Sequence, residues 1–175
     1  MTMDIDSTKP ESTDARMALE FGDLSRTMLD ESSLRNGWRL NFLANFFVGP
    51  IYRALDARFG VSRPEFVILF CLSQRPGLVA RDVCRVTGLP KNSISRAVSQ
   101  LLARGLIERQ PSAADKREKT LAMTADGQAL LAQLVPYFKK REDDMRAVLS
   151  TEERAEFDRL LMKIIHAMPD WVTIE

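Results

Sequence analysis

The sequence predicts a mainly α-helical protein with a small two- or three-stranded antiparallel sheet, and residues 88–123 are the main evidence. A short polar helix in this stretch ends at Gly105, and a strand-like segment follows at 106–109. A charged loop covers 111–119, and a second strand-like segment covers 120–123. Helix, strand, basic loop and strand, in this order, are typical of a winged helix-turn-helix, whose helix enters the DNA major groove and whose loop forms the wing.

Length and composition predict an ordinary globular chain. It has 175 residues, of which 45% are apolar and 28% charged, enough for one core plus a helical appendage. The longest unbroken apolar run, 66–72, is too short to span a membrane. Because no secretory signal is visible at the start either, we expect a cytoplasmic protein.

The charge is distributed unevenly, although the formal net charge is only +1. Residues 1–33 hold eight acids and three bases, a net of −5, whereas residues 81–119 hold nine bases and four acids, a net of +5. Binding to DNA phosphates requires such a local excess of cations rather than a high overall charge.

The spacing of apolar residues predicts seven helices, in chain order at 14–29, 34–59, 63–73, 79–87, 90–104, 125–149 and 151–168. Gly49-Pro50 is expected to kink or split the second. Ser62 and Thr124 are predicted to cap the helices that follow them, and Ser150 to open a capping box. Pro169 is expected to end the last helix.

Three regions follow from these elements. Residues 1–33 are an acidic N-terminal extension that is partly helical, and 61–124 are the DNA-binding domain. Residues 34–60 and 125–175 are a helical dimerisation region, because the helix at 34–59 is apolar on more than one side and the last helix carries an apolar stripe.

The helix at 90–104 has two distinct faces. Ile94, Ala97, Val98 and Leu101 share one face at helical spacing and are expected to hold the helix to its domain. Arginine, asparagine and glutamine on the opposite face can form bidentate contacts with bases, and the short serines allow close approach. The predicted DNA-contacting residues of this helix are Lys91, Asn92, Ser93, Ser95, Arg96, Ser99 and Gln100. The alternatives are a solvated face, or a protein-interaction module without DNA binding, which would carry apolar residues here.

The loop between the two strands is predicted to be the wing. An arginine at its tip can enter a narrow minor groove, where the negative potential is strongest, and Asp115 can orient the guanidinium of Arg117. The predicted DNA-contacting residues of the wing are Arg109, Ser112, Asp115, Lys116, Arg117 and Lys119. The alternative is a charged surface turn.

Several motifs together resemble the MarR family of bacterial transcription regulators, over about 34–168. They are Gly88-Leu-Pro, Ser93-x-Ser95-Arg96, Leu101-x-x-x-Gly105-Leu-Ile-x-Arg109, Asp115-x-Arg117 and Leu121-x-x-Thr124-x-x-Gly127. The resemblance implies an obligate homodimer with interdigitated terminal helices. Such a dimer would bind double-stranded DNA at a pseudo-palindromic operator. It also implies a repressor that a small molecule, often an aromatic acid or phenol, releases from DNA.

For such an effector we expect a cation among aromatic residues near the first long helix. The candidate ligand-binding residues are Trp38, Arg39, Phe42, Asn45, Phe46 and Arg63. Ordinary packing is the alternative for each of them. A redox sensor is an alternative mechanism, but Cys71 and Cys84 both have apolar neighbours and are interpreted as structural.

Neither a cofactor nor a metal is expected. Two cysteines outside any CxxC motif and a single histidine, His166, do not form a zinc-binding pattern. An enzyme is not expected either, because the chain has no glycine-rich phosphate loop and one histidine only.

Overall fold

The computed structural model describes residues 13–111 and 119–173, with side chains described from residue 16 onwards. These residues are mainly helical with one small antiparallel sheet, as the sequence predicted. They fall into two compact units, one ending at Pro50 and the other beginning at Ile51. In the part of the chain that is described, no helix is long and apolar enough to cross a membrane.

The N-terminal unit contains α1 (Thr13–Phe21), α2 (Asp23–Arg26) and a π-helical turn, Thr27–Glu31. The predicted single helix at 14–29 is therefore wrong. Gly22 interrupts it with a φ of +79°, a conformation that glycine adopts readily because it lacks a Cβ atom.

The long helix α3 (Arg35–Phe59) begins in the N-terminal unit and ends in the C-terminal one. It is continuous through Pro50, so of the kink or split predicted at Gly49-Pro50, the split does not occur. Proline removes one backbone donor. The hydrogen bonds of the turns on either side are enough to keep the helix continuous despite this missing bond.

The described residues of the C-terminal unit form six further helices: α4 (Arg63–Gln74), α5 (Ala80–Thr87), α6 (Lys91–Ala103), α7 (Ala125–Arg146), α8 (Thr151–His166) and α9 (Met168–Trp171). The predicted caps at Thr124 and Ser150 are confirmed. Thr124 Oγ1 accepts a hydrogen bond from the Gly127 amide at 3.1 Å. Ser150 Oγ accepts from the Glu153 amide at 3.2 Å, and Glu153 returns a bond to the Ser150 amide at 2.8 Å.

Two predicted helix ends are displaced. α7 ends at Arg146 rather than at 149, and α8 ends at His166 rather than at 168. Pro169 lies in the first turn of the short α9 instead of terminating α8, because a residue in a first turn needs no backbone donor.

The sheet consists of β1 (Ile107–Pro111) and β2 (Lys119–Met123), which pair in antiparallel register with Ile107 opposite Met123. The Leu121 amide also donates to the Leu78 carbonyl at 2.8 Å. Leu78 thus occupies the position of a third strand, which agrees with the predicted two- or three-stranded sheet.

The core lies in the C-terminal unit and joins α3, α4, α5, α6 and α7 to the sheet. Its fully buried side chains are Leu55, Val61, Ile68, Leu69, Val83, Ile94, Leu101 and Leu134. This core fixes the position of α6.

Candidate nucleic-acid interface

The turn between α5 and α6 sets the angle at which α6 leaves the core. Gly88 ends α5 in the left-handed conformation, with a φ of +66°, and Pro90 is the residue directly before α6. Thr87 Oγ1 donates to the Val83 carbonyl at 2.6 Å and accepts from the Leu89 amide at 3.3 Å. Two helices joined by a turn of three residues form the helix-turn-helix.

One face of α6 anchors the helix in the core. Ile94, Ala97, Val98 and Leu101 are all at most 4% exposed, as the helical spacing predicted. Burial of four apolar side chains on one helical face fixes its rotation about its own axis, and this determines which residues face outwards.

A second anchor, which the sequence did not reveal, holds the C-terminal end of α6. The Arg104 guanidinium donates to the carbonyls of Phe59 at 3.3 Å and Gly60 at 2.9 Å, and to the Glu65 carboxylate at 3.3 Å. Glu65 is buried and also accepts from the amide and hydroxyl of Ser62, at 2.8 and 2.6 Å. Arg104 is one of the nine bases counted at 81–119, but its guanidinium binds groups of the protein itself.

The opposite face of α6 is polar. Six of the seven predicted contact residues are exposed and Ser93 is half-buried; the exposed ones are Lys91, Asn92, Ser95, Arg96, Ser99 and Gln100. Asn92 Oδ1 accepts from the Ser93 amide at 2.8 Å, and Ser99 Oγ donates to the Ser95 carbonyl at 3.1 Å. Both are local bonds of exposed groups, so bases or phosphates can replace them at small cost.

The described part of the wing is anchored at its base and exposed further out. Ile107 and Leu121 are buried, whereas Arg109 and Lys119 are exposed. Arg109 has no hydrogen-bond partner within the described ranges. Four predicted wing residues lie outside the described residues: Ser112, Asp115, Lys116 and Arg117.

In the N-terminal unit, the predicted ligand-binding residues have partners from the chain itself. Arg39 donates from Nε to the Leu29 carbonyl at 2.7 Å and from Nη2 to Asp30 Oδ1 at 3.0 Å. Phe21 packs on Phe42 and Phe46, with ring centroids 5.1 and 4.9 Å away.

The remaining two members of this set are more open. Asn45 donates to the exposed Asn41 at 3.3 Å. Trp38 is 41% exposed and lines a shallow cleft. The sequence analysis expected Arg39 to bind the carboxylate of a ligand. In the structure Arg39 binds the carboxylate of Asp30 instead.

In the C-terminal unit, Arg63 lies over the Tyr52 ring at 5.6 Å. Burial raises the pKa of Tyr52, and the neighbouring Arg63 opposes this shift. Nearby residues of the same unit form a cleft of about 720 Å³ that the sequence analysis missed. It lies between α4 and α5, and no periodic pattern marks it in the sequence.

Exposed apolar side chains, two cations and one carboxylate line this cleft, among them Phe70, Val86, Arg75, Arg85 and Asp82. Cys71 also lines it, and burial raises the pKa of that thiol. A raised pKa lowers the thiolate fraction on which oxidation depends. The environment of Cys71 therefore favours the structural interpretation.

Comparisons with known proteins agree with this geometry. The model of the MarR family matches residues 59–118, the helix-turn-helix and the start of the wing. A putative transcriptional regulatory protein for the hcr operon of Thauera aromatica is 30% identical over 112 residues, covering 64% of this chain and 68% of that protein.

Two solved structures are similar over most of their length. The Staphylococcus aureus MepR–DNA complex has a TM-score of 0.68 at 19% identity, covering 78% of this chain and 99% of that one. The Mycobacterium tuberculosis MarR-family protein Rv2887, in complex with p-aminosalicylic acid, has a TM-score of 0.60 at 26% identity, covering 73% and 96%. The fold and the α6 face define a winged helix-turn-helix regulator of transcription. The chain belongs to the MarR family.

Proposed function

We propose that this protein is a homodimeric transcriptional repressor that binds a pseudo-palindromic operator and is released by a small aromatic acid. The observation that carries the proposal is the orientation of α6. Its apolar face is buried, and its exposed face presents Asn92, Arg96 and Ser99, which suit base edges in the major groove. MepR, which shares this fold, was solved in complex with DNA.

In this proposal the residues of α6 and of the wing have different tasks. Arg96, Asn92 and Gln100 read bases, whereas Lys91 and the serines bind phosphates or bases. Arg109 and Lys119 lie beside phosphates at the base of the wing, and Arg117 with Asp115 enters the minor groove.

Dimerisation is supported by the C-terminal helix. None of the residues of α8 is buried. Leu160, Leu161, Ile164 and Ile165 are 37–49% exposed on it. Contiguous exposed apolar side chains of this kind mark an interaction surface. Sedimentation equilibrium of the full chain should give twice the monomer mass, and Ile164→Asp should lower it. A monomer at the concentrations used for DNA binding contradicts the dimer.

Release by an aromatic acid is supported by the cleft between α4 and α5. Its volume of about 720 Å³ lies within the roughly 300–1,000 Å³ of small-molecule sites. Phe70 offers a ring for stacking, and Arg75 and Arg85 offer cations for a carboxylate. Rv2887, solved with p-aminosalicylic acid, shares the fold at 26% identity. A ligand here would contact α5, the helix that positions α6, and it releases DNA only if it binds the DNA-free arrangement better.

The proposal is tested by fluorescence anisotropy with a duplex from upstream of the protein's own gene and with a scrambled duplex, over a series of salt concentrations. We expect tight binding that prefers the upstream duplex. The logarithm of the binding constant should fall linearly with the logarithm of salt concentration, because lysine and arginine side chains of the protein release counterions from the DNA phosphates. Salicylate should then release the duplex, and Arg85→Gln should reduce this effect. Equal, weak binding of both duplexes contradicts operator recognition and favours a protein-interaction module.

A further inference from the structure

The chain leaves α6 through a turn at Arg104 and Gly105 and enters β1 two residues later. This 104–105 turn therefore sets the direction of both the polar face of α6 and the first strand of the wing. Gly105 has a φ of +66°, which glycine adopts readily. The amides of Gly105 and Leu106 donate to the carbonyls of Leu102 and Leu101, both at 3.0 Å, so the turn is bonded directly to the last residues of the helix.

The first turn of α7 is also bonded to the 104–105 turn. Thr124 Oγ1 donates to the Gly105 carbonyl at 2.8 Å, and the Thr124 amide donates to the Leu106 carbonyl at 3.1 Å. The same hydroxyl oxygen accepts from the Gly127 amide at 3.1 Å. A threonine hydroxyl can donate and accept at once. As an acceptor this one caps α7, and as a donor it joins α7 to the end of α6.

The Arg104 side chain joins the same turn to α3 and α4. Its guanidinium donates to the carbonyls of Phe59, the last residue of α3, and of Gly60. It also donates to the carboxylate of Glu65, which lies in the first turn of α4. The end of α6 is therefore held by directional hydrogen bonds to three other helices of the C-terminal unit.

Such bonds control a motion that the buried face of α6 controls less well. Apolar packing is non-directional, so it resists rotation of the helix about its axis more than a small tilt. Asn92 lies twelve residues before Arg104, which corresponds to roughly 18 Å along a helix. A tilt of about 5° at the 104–105 turn would displace Asn92 by about 1.5 Å. A hydrogen bond to a base tolerates only about 0.5 Å.

We propose that Arg104 and Thr124 are positioning residues for DNA recognition. They hold the 104–105 turn so that α6 and β1 keep the angle at which the polar face of α6 meets base edges. Both act through these two elements and need no contact with DNA. The inference rests on the proposed function, in which α6 reads bases.

The substitution Thr124→Asp separates the two tasks of the Thr124 hydroxyl. Aspartate is at least as good an N-cap as threonine, and its charge suits the first turn of a helix. An ionised carboxylate has no proton to donate, so the bond to the Gly105 carbonyl is lost. Gly105 is exposed, so water can bond to that carbonyl. The melting temperature should therefore change by less than about 4 °C.

The test measures the ratio of two affinities by fluorescence anisotropy of the full chain. One duplex is the sequence that the wild type selects from a random pool, and the other is its scrambled version. Thr124→Asp and Arg104→Gln should each lower the ratio by about fivefold or more, the discrimination that one good base contact provides. A change in the folded fraction alone would weaken binding to both duplexes by the same factor and leave the ratio unchanged.

Two controls accompany these variants. Thr124→Ser keeps a hydroxyl that can both donate and accept, so the ratio should stay within about twofold of the wild type. Ala125→Asp places the same negative charge on the next residue, which is exposed, and should also leave the ratio within about twofold. Thr124→Asp, Arg104→Gln and Ala125→Asp all lower the net charge by one, so charge alone cannot separate them.

Three results overturn the proposal: a wild-type ratio in Thr124→Asp, an equal fall of the ratio in Ala125→Asp, or equal weakening of both duplexes by Arg104→Gln. The last result would show that Arg104 binds phosphate or only supports folding. If the wild type selects no sequence from the pool, the proposed function itself is contradicted, and this inference with it. Selection by the wild type together with unchanged ratios in the variants overturns this inference alone.

Discussion

The anchor at the C-terminal end of α6 gives the sharpest stability prediction. We consider Arg104→Met, which keeps an unbranched stem of similar length and removes the guanidinium. Three hydrogen bonds are lost: those to the Phe59 and Gly60 carbonyls, at 3.3 and 2.9 Å, and the one to Glu65, at 3.3 Å. The Glu65 side chain, 5% exposed, then loses its charged partner.

The size of the stability loss depends on how deeply Arg104 and Glu65 are buried. Removing one partner of a fully buried ion pair costs about 3–5 kcal/mol. Here the Arg104 side chain is 37% exposed, so water can solvate part of the vacated space, and Glu65 keeps both bonds from Ser62. We therefore expect a loss of about 2–3 kcal/mol in the free energy of unfolding, less than for a fully buried pair. This corresponds to a fall of about 5–10 °C in the melting temperature.

The assay is urea unfolding followed by circular dichroism, at one fixed protein concentration because a dimer's stability depends on it. Arg109→Met is the matched control: Arg109 is exposed on β1, and the change should stay within about 0.5 kcal/mol. Arg104→Lys should give an intermediate loss, since an ammonium retains the charge without the planar fork. If Arg104→Met is as stable as Arg109→Met, the anchor contributes nothing and the reasoning is refuted.

Three more predictions concern other parts of the molecule. Gly127→Ala should destabilise by more than about 2 kcal/mol in the same urea assay, because a Cβ atom there would clash with the Leu106 carbonyl oxygen; wild-type stability would show that the backbone relaxes at no cost. Arg117→Ala should weaken operator binding by about 1–3 kcal/mol in a fluorescence titration, and an unchanged affinity would remove the wing from DNA recognition. Mild peroxide should leave the protein on DNA in an anisotropy assay, since Cys71 and Cys84 are partly buried; release that a thiol reductant reverses would identify a redox sensor instead.

The sequence predicted features whose signal is local. The 3.6-residue period of Ile94, Ala97, Val98 and Leu101 identified the buried face of α6. The caps at Thr124 and Ser150 depend on side chains within three residues of the amides that they accept from. Such features need no knowledge of the tertiary structure.

Features that depend on distant partners were missed. Arg104 binds Glu65, 39 residues away, and in the sequence its charge looks the same as that of a DNA-binding arginine. Arg39 was expected to hold a ligand carboxylate, and the chain supplies one from Asp30, 9 residues away. The charge of a residue shows that it needs a partner, and only the fold shows which partner it has.

The central claim is that the polar face of α6 reads the base sequence of DNA, and selection from a pool of random duplexes tests it most directly. Wild-type protein, Arg96→Ala and Arg85→Ala should each be put through the same selection; Arg85 is exposed on α5 and serves as the control for loss of one positive charge. We predict that Arg96→Ala selects a changed or relaxed sequence at one position of each half-site, whereas Arg85→Ala selects the wild-type site. If Arg96→Ala returns the wild-type site with only a uniform loss of affinity, Arg96 binds phosphate and the claim that it reads bases is contradicted.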